Sequence, residues 1–173
     1  LPEAARPLIE ATLGAARRGG TLLGHIGDMT GGRAWTPRPT AFPGFLDDLA
    51  TLARSALPEG IALEVSRDLA GTVLVDPGML GDALLNLVLN ARDACGATGR
   101  ITLKAEVRAE TWLSFTLRDT GPGFSEEALA RAFEPFFSTK GGEGSGLGLA
   151  MVYDMAKLAG GDVRLANTCP HTG

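Results

Sequence analysis

The chain has 173 residues and a formal net charge of -4 at pH 7, which is enough length for one domain with a packed core. Because a nucleic acid or an anionic membrane surface attracts clustered Lys and Arg, the acidic balance and the lack of a basic run argue against both as direct partners. The two cysteines, Cys95 and Cys169, and two histidines support neither a disulfide framework nor a zinc site, so we expect a reducing, cytoplasmic setting.

The first part of the chain predicts one long helix followed by a linker. Over residues 1–31 apolar residues recur at three- and four-residue steps, which is typical of an amphipathic helix. Its apolar stripe has to be buried, so we expect this helix to pack on a partner helix, as in a coiled-coil dimer. Pro37, Pro39 and Pro43 then predict an extended linker over residues 32–44.

The remaining residues, 45–173, predict one domain in which strands and helices are mixed. The predicted elements are a helix over 45–56, strands over 61–66 and 72–75, a helix over 77–95, a hairpin over 100–118, a short helix capped by Ser125, a helix over 147–158 and a strand over 162–166. Because the hairpin makes antiparallel neighbours, we predict an α+β fold, a two-layer α/β sandwich. Its sheet is mixed and largely antiparallel, its helices lie on one face, and the long N-terminal helix precedes it.

Polar residues on the helix over 77–95 share one side of an otherwise apolar element. Asp82, Asn86, Asn90 and Asp93 follow at steps of four, four and three, which places them in one stripe. Buried amides and carboxylates cost free energy unless they are paired. The stripe therefore indicates a polar ligand, a metal ion or a satisfied polar network in the core, and the pattern alone leaves these open.

Two glycine-rich segments indicate close approach of the backbone to a ligand. Asp119 ends a strand and precedes Gly121 and Gly123, an arrangement that suits a planar donor such as an adenine amine and equally suits a plain turn. Residues 144–150 run into a helix and outline a phosphate cradle, although a flexible turn that caps the helix has the same pattern. The segment matches neither the Rossmann fingerprint nor a Walker A loop.

Taken together, four segments resemble the signatures of the ATP-binding domain of sensor histidine kinases, within the gyrase, heat-shock chaperone, histidine kinase and mismatch-repair ATPase superfamily. In order they are the N box at 85–94, the G1 box at 119–123, the F box at 133–137 and the G2 box at 144–149. The resemblance covers about residues 45–166, and the helix before it looks like the second helix of the family's dimerisation and phosphotransfer hairpin.

The resemblance implies a site for ATP and Mg²⁺. Asn90 would ligate Mg²⁺, and Asp119 would accept the adenine amino hydrogen. Asn86 and Lys140 would serve catalysis, with Lys140 offsetting γ-phosphate charge, although a solvated lid lysine has the same signature. The remaining positions that the resemblance assigns to cofactor binding are Asp93, Gly121, Gly123, Gly144, Ser145, Gly146, Leu147 and Gly148.

The function that the resemblance implies is transfer of the γ-phosphoryl group of Mg-ATP to a histidine, for relay to the receiver domain of a response regulator. The kinase would be a homodimer through its N-terminal helical hairpin, alone or as the cytoplasmic part of a larger membrane-bound sensor. His25 and His171 do not match the family's phosphoacceptor, so we expect this histidine to lie on another segment. The segment between Lys140 and Gly144 looks shorter than the family's lid, and the family's usual closing strand is missing.

Two alternatives remain open at this stage. A stand-alone ATPase of the same superfamily would carry a water-activating glutamate where this chain has Asn86, and an amide cannot act as a general base. A degenerate nucleotide-binding module would only dock partners, yet the residue types at the ligand positions are chemically competent.

Overall fold

The computed structural model describes residues 34–109, 111–139 and 145–168. The long helix predicted for residues 1–31 lies outside them and stays a prediction. The chain divides into two compact units, Leu1–Ala34 and Trp35–Gly173, and the second contains the following elements. In chain order they are β1 (Arg38–Ala41), α1 (Phe42–Ser55), β2 (Ile61–Arg67), β3 (Thr72–Val75), α2 (Pro77–Cys95), β4 (Gly99–Arg108), β5 (Trp112–Asp119), α3 (Glu126–Arg131) and α4 (Gly148–Leu158).

The strands form two small sheets of mixed direction. In the first, β1 pairs antiparallel with β3. In the second, β4 lies between β2, to which it is parallel, and β5, to which it is antiparallel. A parallel neighbour requires a long crossover, and the chain between β2 and β4 contains α2. The predicted mixed, largely antiparallel sheet is confirmed.

The helices pack on one face of the central strand. Ile101, Leu103 and Ala105 alternate along β4 and are fully or almost fully buried. α2 contacts β4 and β5 and is itself flanked by α1 and α4. Its residues Leu84 and Val88 are at most 2% exposed, which explains why the helix is apolar around most of its circumference. This arrangement confirms the predicted α+β sandwich.

The N-terminus of α2 is fixed by a buried carboxylate. Asp76 is 7% exposed, and its Oδ1 accepts hydrogen bonds from the backbone N–H groups of Gly78 and Met79, both at 3.0 Å. Its Oδ2 accepts a third from the N–H of Thr36 at 3.2 Å. These bonds satisfy N–H groups that have no partner within a helix, and Pro77 occupies the first turn, as the sequence predicts.

The structure differs from the linker prediction at residues 38–44. Arg38–Ala41 form a strand that pairs with β3, and α1 begins at Phe42 rather than at residue 45. Pro39 is tolerated because β1 lies at a sheet edge, and Pro43 lies in the first turn of α1, where its missing N–H costs no helical hydrogen bond. A proline-rich sequence here starts regular structure instead of preventing it.

The strand predicted over residues 162–166 is absent. Among the described residues, this segment is assigned to no strand and pairs with none. Its alternation is nevertheless real, because Val163, Leu165 and Asn167 are half-buried while the residues between them are exposed. Alternation reports a half-buried extended segment, whereas a strand also requires a neighbouring backbone to pair with.

We predict that Asp76→Ala lowers the free energy of unfolding by about 1 to 2 kcal/mol, because it removes the N-cap of α2 from a buried position. Asp76→Asn keeps the accepting oxygen and should lose less. Urea denaturation measures both, with Asp48→Ala on the exposed side of α1 as the control. Equal stabilities of Asp76→Ala and the control variant would contradict this role.

Candidate functional site

The polar stripe of α2 divides into a half-buried middle and exposed ends. Asn86 and Asn90 are half-buried, whereas Asp82 and Asp93 are exposed. Oδ1 of Asp93 accepts hydrogen bonds from the guanidinium of its neighbour Arg92, at 2.9 Å from Nε and 2.7 Å from Nη2. The two asparagines are therefore the members of the stripe that line the packed part of the helix.

The first turn of α4 lies over the two asparagines. A methyl group placed on Gly148 would lie 3.3 Å from Nδ2 of Asn90 and 3.8 Å from Oδ1 of Asn86. α4 begins at this glycine, and Leu147 at its N-cap provides no side-chain hydrogen bond. The first N–H groups of a helix have no partner within it, so this end of α4 offers donors and a positive dipole beside two amides.

The loop after β5 approaches the C-terminal end of the same helix. A methyl group on Gly121 would lie 2.8 Å from Cβ of Ala94, so only glycine lets the backbone come this close. The N–H of Gly121 donates to Oδ1 of Asp119 at 2.8 Å, and among the described residues Oδ2 is left as the acceptor for a ligand. Because α2 rises about 1.5 Å per residue, the two glycine contacts lie roughly 6 to 12 Å apart along one helix.

The F-box segment is joined to the G2 loop through its backbone. The N–H of Phe136 donates to the carbonyl oxygen of Gly146 at 3.0 Å, and both residues have positive φ, 68° and 66°. A methyl group on Gly146 would overlap the backbone of Phe136, so this position requires glycine both for its φ and for space. The phenylalanines of this segment differ in their surroundings, because Phe136 is 64% exposed, whereas the Phe133 ring lies 5.1 Å from that of Tyr153.

Arg131, at the end of α3, holds the F-box segment and was missed in the sequence. Its guanidinium donates to Glu134 at 2.9 Å and to Glu127 at 3.0 Å, and it lies 4.4 Å from the centre of the Phe137 ring. Hydrogen bonding to Glu134, and then to Glu127, raises the pKa of Arg131. The three- and four-residue spacing of Arg131 from its two glutamates is the signal that could have identified it.

Asn167 is a second residue that the sequence did not reveal. Its side chain contacts the backbone of Phe124, in the loop that follows β5, with hydrogen bonds of 2.8 and 2.7 Å. The two residues are 43 positions apart, and no local pattern predicts the contact.

The remaining predicted positions are placed as follows. Ser145 is exposed, and its hydroxyl accepts the N–H of Leu147 at 3.4 Å. The side chain of Leu147 is fully buried in the core, so this residue can offer a ligand only its backbone. Lys140 and Gly144 lie outside the described residues.

The donor set disfavours a metal ion caged by the protein alone. Among the described residues, no group of three or more His, Cys, Asp or Glu side chains could hold a metal ion. Mg²⁺ bound to phosphates needs only one or two protein oxygens because it keeps several waters. The half-buried amide of Asn90, beside the N-terminus of α4, fits that kind of site.

Comparison with known proteins identifies the family of the chain. Residues 75–173 match the family model of the histidine kinase-, DNA gyrase B-, and HSP90-like ATPases. The sensor kinase CckA of Brucella abortus (strain 2308) is 35% identical over 151 residues, which cover 74% of this chain and 16% of the relative.

Two solved kinases share the fold. Full-length ShkA, solved in complex with AMPPNP, has a TM-score of 0.64 and 31% identity, over 87% of this chain and 34% of that chain. Histidine kinase ThkA, solved in complex with the response regulator protein TrrA, has a TM-score of 0.67, over 80% of this chain and 42% of that chain. ThkA is 23% identical, so its likeness concerns the fold alone.

The matched region is a small part of the related proteins. The chain spans between 16% and 28% of the length of the first four curated relatives that it matches. Within the described ranges, no helix has the length and apolar character needed to cross a bilayer.

We predict that Gly148→Ala weakens the binding of Mg-ATP about tenfold, because the added methyl group narrows the space between α4 and Asn90. The free energy of unfolding should change by less than about 1 kcal/mol, since alanine is the better helix former. Gly44→Ala is the matched control, because a methyl group there meets nothing within 4 Å. If titration calorimetry finds equal Mg-ATP affinities for the two variants, the space between α4 and Asn90 does not take part in ligand binding.

Proposed function

The chain belongs to the histidine kinase-, DNA gyrase B-, and HSP90-like ATPase family and contains the ATP-binding catalytic domain found in sensor histidine kinases, and on that premise we propose that it binds Mg-ATP and transfers the γ-phosphoryl group to a histidine. The observation that carries the proposal is the position of Gly148 over Asn86 and Asn90, so close that an added methyl group would lie 3.3 Å from Nδ2 of Asn90. It brings an uncapped helix N-terminus and a pair of half-buried amides to the same point.

Each end of the site suits one end of ATP. The N–H groups at the start of α4 are donors for phosphate oxygens, and the helix dipole there favours negative charge. At the other end, Oδ2 of Asp119 would accept a hydrogen bond from the adenine amino group, and the lack of a side chain on Gly121 lets the loop that carries Asp119 pack closely against Ala94. The roles of Gly123, Gly144, Ser145 and Gly146 in phosphate or base binding belong to the same proposal, as do those of Asp93 and the backbone of Leu147.

Asn90 is the residue that would hold Mg²⁺, through its side-chain oxygen. The ion, when bound, neutralises charge on the phosphates. Asn86, one turn earlier, orients the same end of the nucleotide, and Lys140 is proposed to offset γ-phosphate charge. Together these residues would position the nucleotide and stabilise the charge on its phosphates. Phosphoryl transfer depends on these two contributions from the protein.

Asn86 also favours transfer over hydrolysis. An ATPase of the same family type needs a base that activates water at the phosphate end of the site, and an amide cannot remove a proton. By the resemblance, such a base would stand at the position of Asn86, which is a half-buried amide beside Gly148 in this chain. We therefore place the stand-alone ATPase second.

The partners are part of the proposal. The phosphoacceptor histidine would lie on a dimerisation hairpin, of which residues 1–31 form the second helix, and the kinase would act as a homodimer in the cytoplasm. The phosphoryl group would then pass to the aspartate of a receiver domain, as the similarity to sensor kinases implies.

Incubation with γ-labelled ATP and a separately supplied phosphoacceptor helix separates the candidate functions. Acid-labile label on the added helix, and none on this chain when the helix is left out, is the expected result. Release of labelled phosphate without transfer would favour the ATPase, and binding without turnover would favour a docking module.

Within that assay we predict that Asn90→Ala lowers the transfer rate by about two orders of magnitude or more, because it removes the metal-binding oxygen. The variant should keep the thermal unfolding midpoint of the parent to within a few degrees. Asp82→Ala, on the exposed end of the same stripe, serves as the control and should transfer at the parental rate. If Asn90→Ala unfolds the domain without a specific loss of Mg-ATP affinity, the stripe is structural.

A further inference from the structure

Within the described ranges, the oxygen and the nitrogen of the Asn167 amide both bond to one residue of the loop after β5. Its Oδ1 accepts the N–H of Phe124 at 2.8 Å, and its Nδ2 donates to the carbonyl oxygen of Phe124 at 2.7 Å. This reciprocal pair of bonds is the one that an antiparallel strand makes with its neighbour. We propose that Asn167 is a positioning residue that holds loop 119–124 in the conformation that binds adenine. The inference rests on the proposed ATP site.

The loop is fixed at its start by contacts within the sheet. The N–H of Gly121 donates to Oδ1 of Asp119 at 2.8 Å. The hydroxyl of Thr120 accepts the N–H of Arg100 at 3.0 Å, which ties the loop to β4. These contacts hold the end of the loop that carries the adenine acceptor, and the far end requires a separate anchor.

Asn167 provides the anchor at the far end. Gly123 has a φ of 80°, and a methyl group placed on it would lie 2.7 Å from Oδ1 of Asn167. The backbone of residues 123 and 124 therefore lies directly against this side chain. With both ends held, the direction of the Asp119 carboxylate oxygen that is left for a ligand and the close packing of Gly121 against Ala94 are set before a ligand arrives.

Asparagine suits this contact for a chemical reason. Its amide places one acceptor and one donor side by side, which matches the N–H and C=O of a single residue. Aspartate has the same shape but no donor, and it would set a second oxygen against the carbonyl of Phe124. Alanine removes both bonds.

The segment that carries Asn167 belongs to no strand of the described structure, so the side chain does not serve to extend a ladder. Val163 and Leu165 fill the other inward positions of this segment. Asn167 is the inward residue that exchanges hydrogen bonds with the loop of the adenine end, away from the asparagines at the phosphate end. Its loss should therefore affect the base more than the phosphates.

The test compares the affinities of Mg-ATP and Mg-GTP for the whole chain and for Asn167→Asp and Asn167→Ala. We expect the Kd for ATP to rise about tenfold or more in both variants, because Asn167→Ala loses both hydrogen bonds to the loop and Asn167→Asp loses one and sets an oxygen against the carbonyl of Phe124. Guanine carries a carbonyl oxygen where adenine carries its amino group, so GTP bound in the same orientation makes no such bond to Asp119; its Kd should stay within about twofold and the preference for ATP should shrink. Thr168→Ala, an exposed neighbour, is the control.

Each other outcome overturns the inference. Equal losses for ATP and GTP, or an Asn167→Asp variant that does not fold, would mean that Asn167 supports the fold and not the base. Parental affinities in both variants would mean that the loop needs no second anchor. If the unaltered chain binds no ATP, the proposed function fails and this inference fails with it, whereas ATP binding that Asn167 does not affect leaves the proposed function intact.

Discussion

A helix buried on nearly every side can carry amides only where something polar lies opposite them, and α2 meets that constraint at Asn86 and Asn90. The sheet covers one side of this helix, α1 and α4 flank it, and the buried Asp76 fixes where it begins. The loop that contains Gly121 approaches α2 near its C-terminal end, and the loop that leads into Gly148 approaches it near its middle. The site is therefore a property of one helix and of what packs against it.

The loops are positioned by contacts outside the site. Gly146 and Phe136 share a backbone hydrogen bond in which both residues take a left-handed conformation, and this bond joins the F box to the described part of the G2 loop. Arg131 holds the F box through two carboxylates and an aromatic ring. The F-box segment that Gly146 contacts is therefore also tied to the end of α3.

Much of the fold could be predicted because its signals are local. Over residues 61–119 the predicted strands and helix differ from the observed ones by at most one residue at each end, since alternation, helical periodicity and the Asp76–Pro77 start are all read within a few positions. The asparagines were found for the same reason.

Where the prediction failed, the outcome depends on distant residues. Pro43 reads as a helix breaker until its place in a first turn is known, and residues 162–166 alternate correctly but find no neighbouring strand in the described structure. The contact of Asn167 with Phe124 has no local signal at all.

The central claim is that the middle of α2 and the two glycine loops form a single ATP site. The most direct measurement is a nuclear magnetic resonance titration of the chain with Mg²⁺ and a non-hydrolysable ATP analogue. The account predicts that the side-chain amide signals of Asn86 and Asn90 shift together with the backbone amides of Gly121 and Gly148, at one common affinity. Shifts confined to the outer face of the sheet, or asparagine signals that do not respond while other regions do, would contradict it.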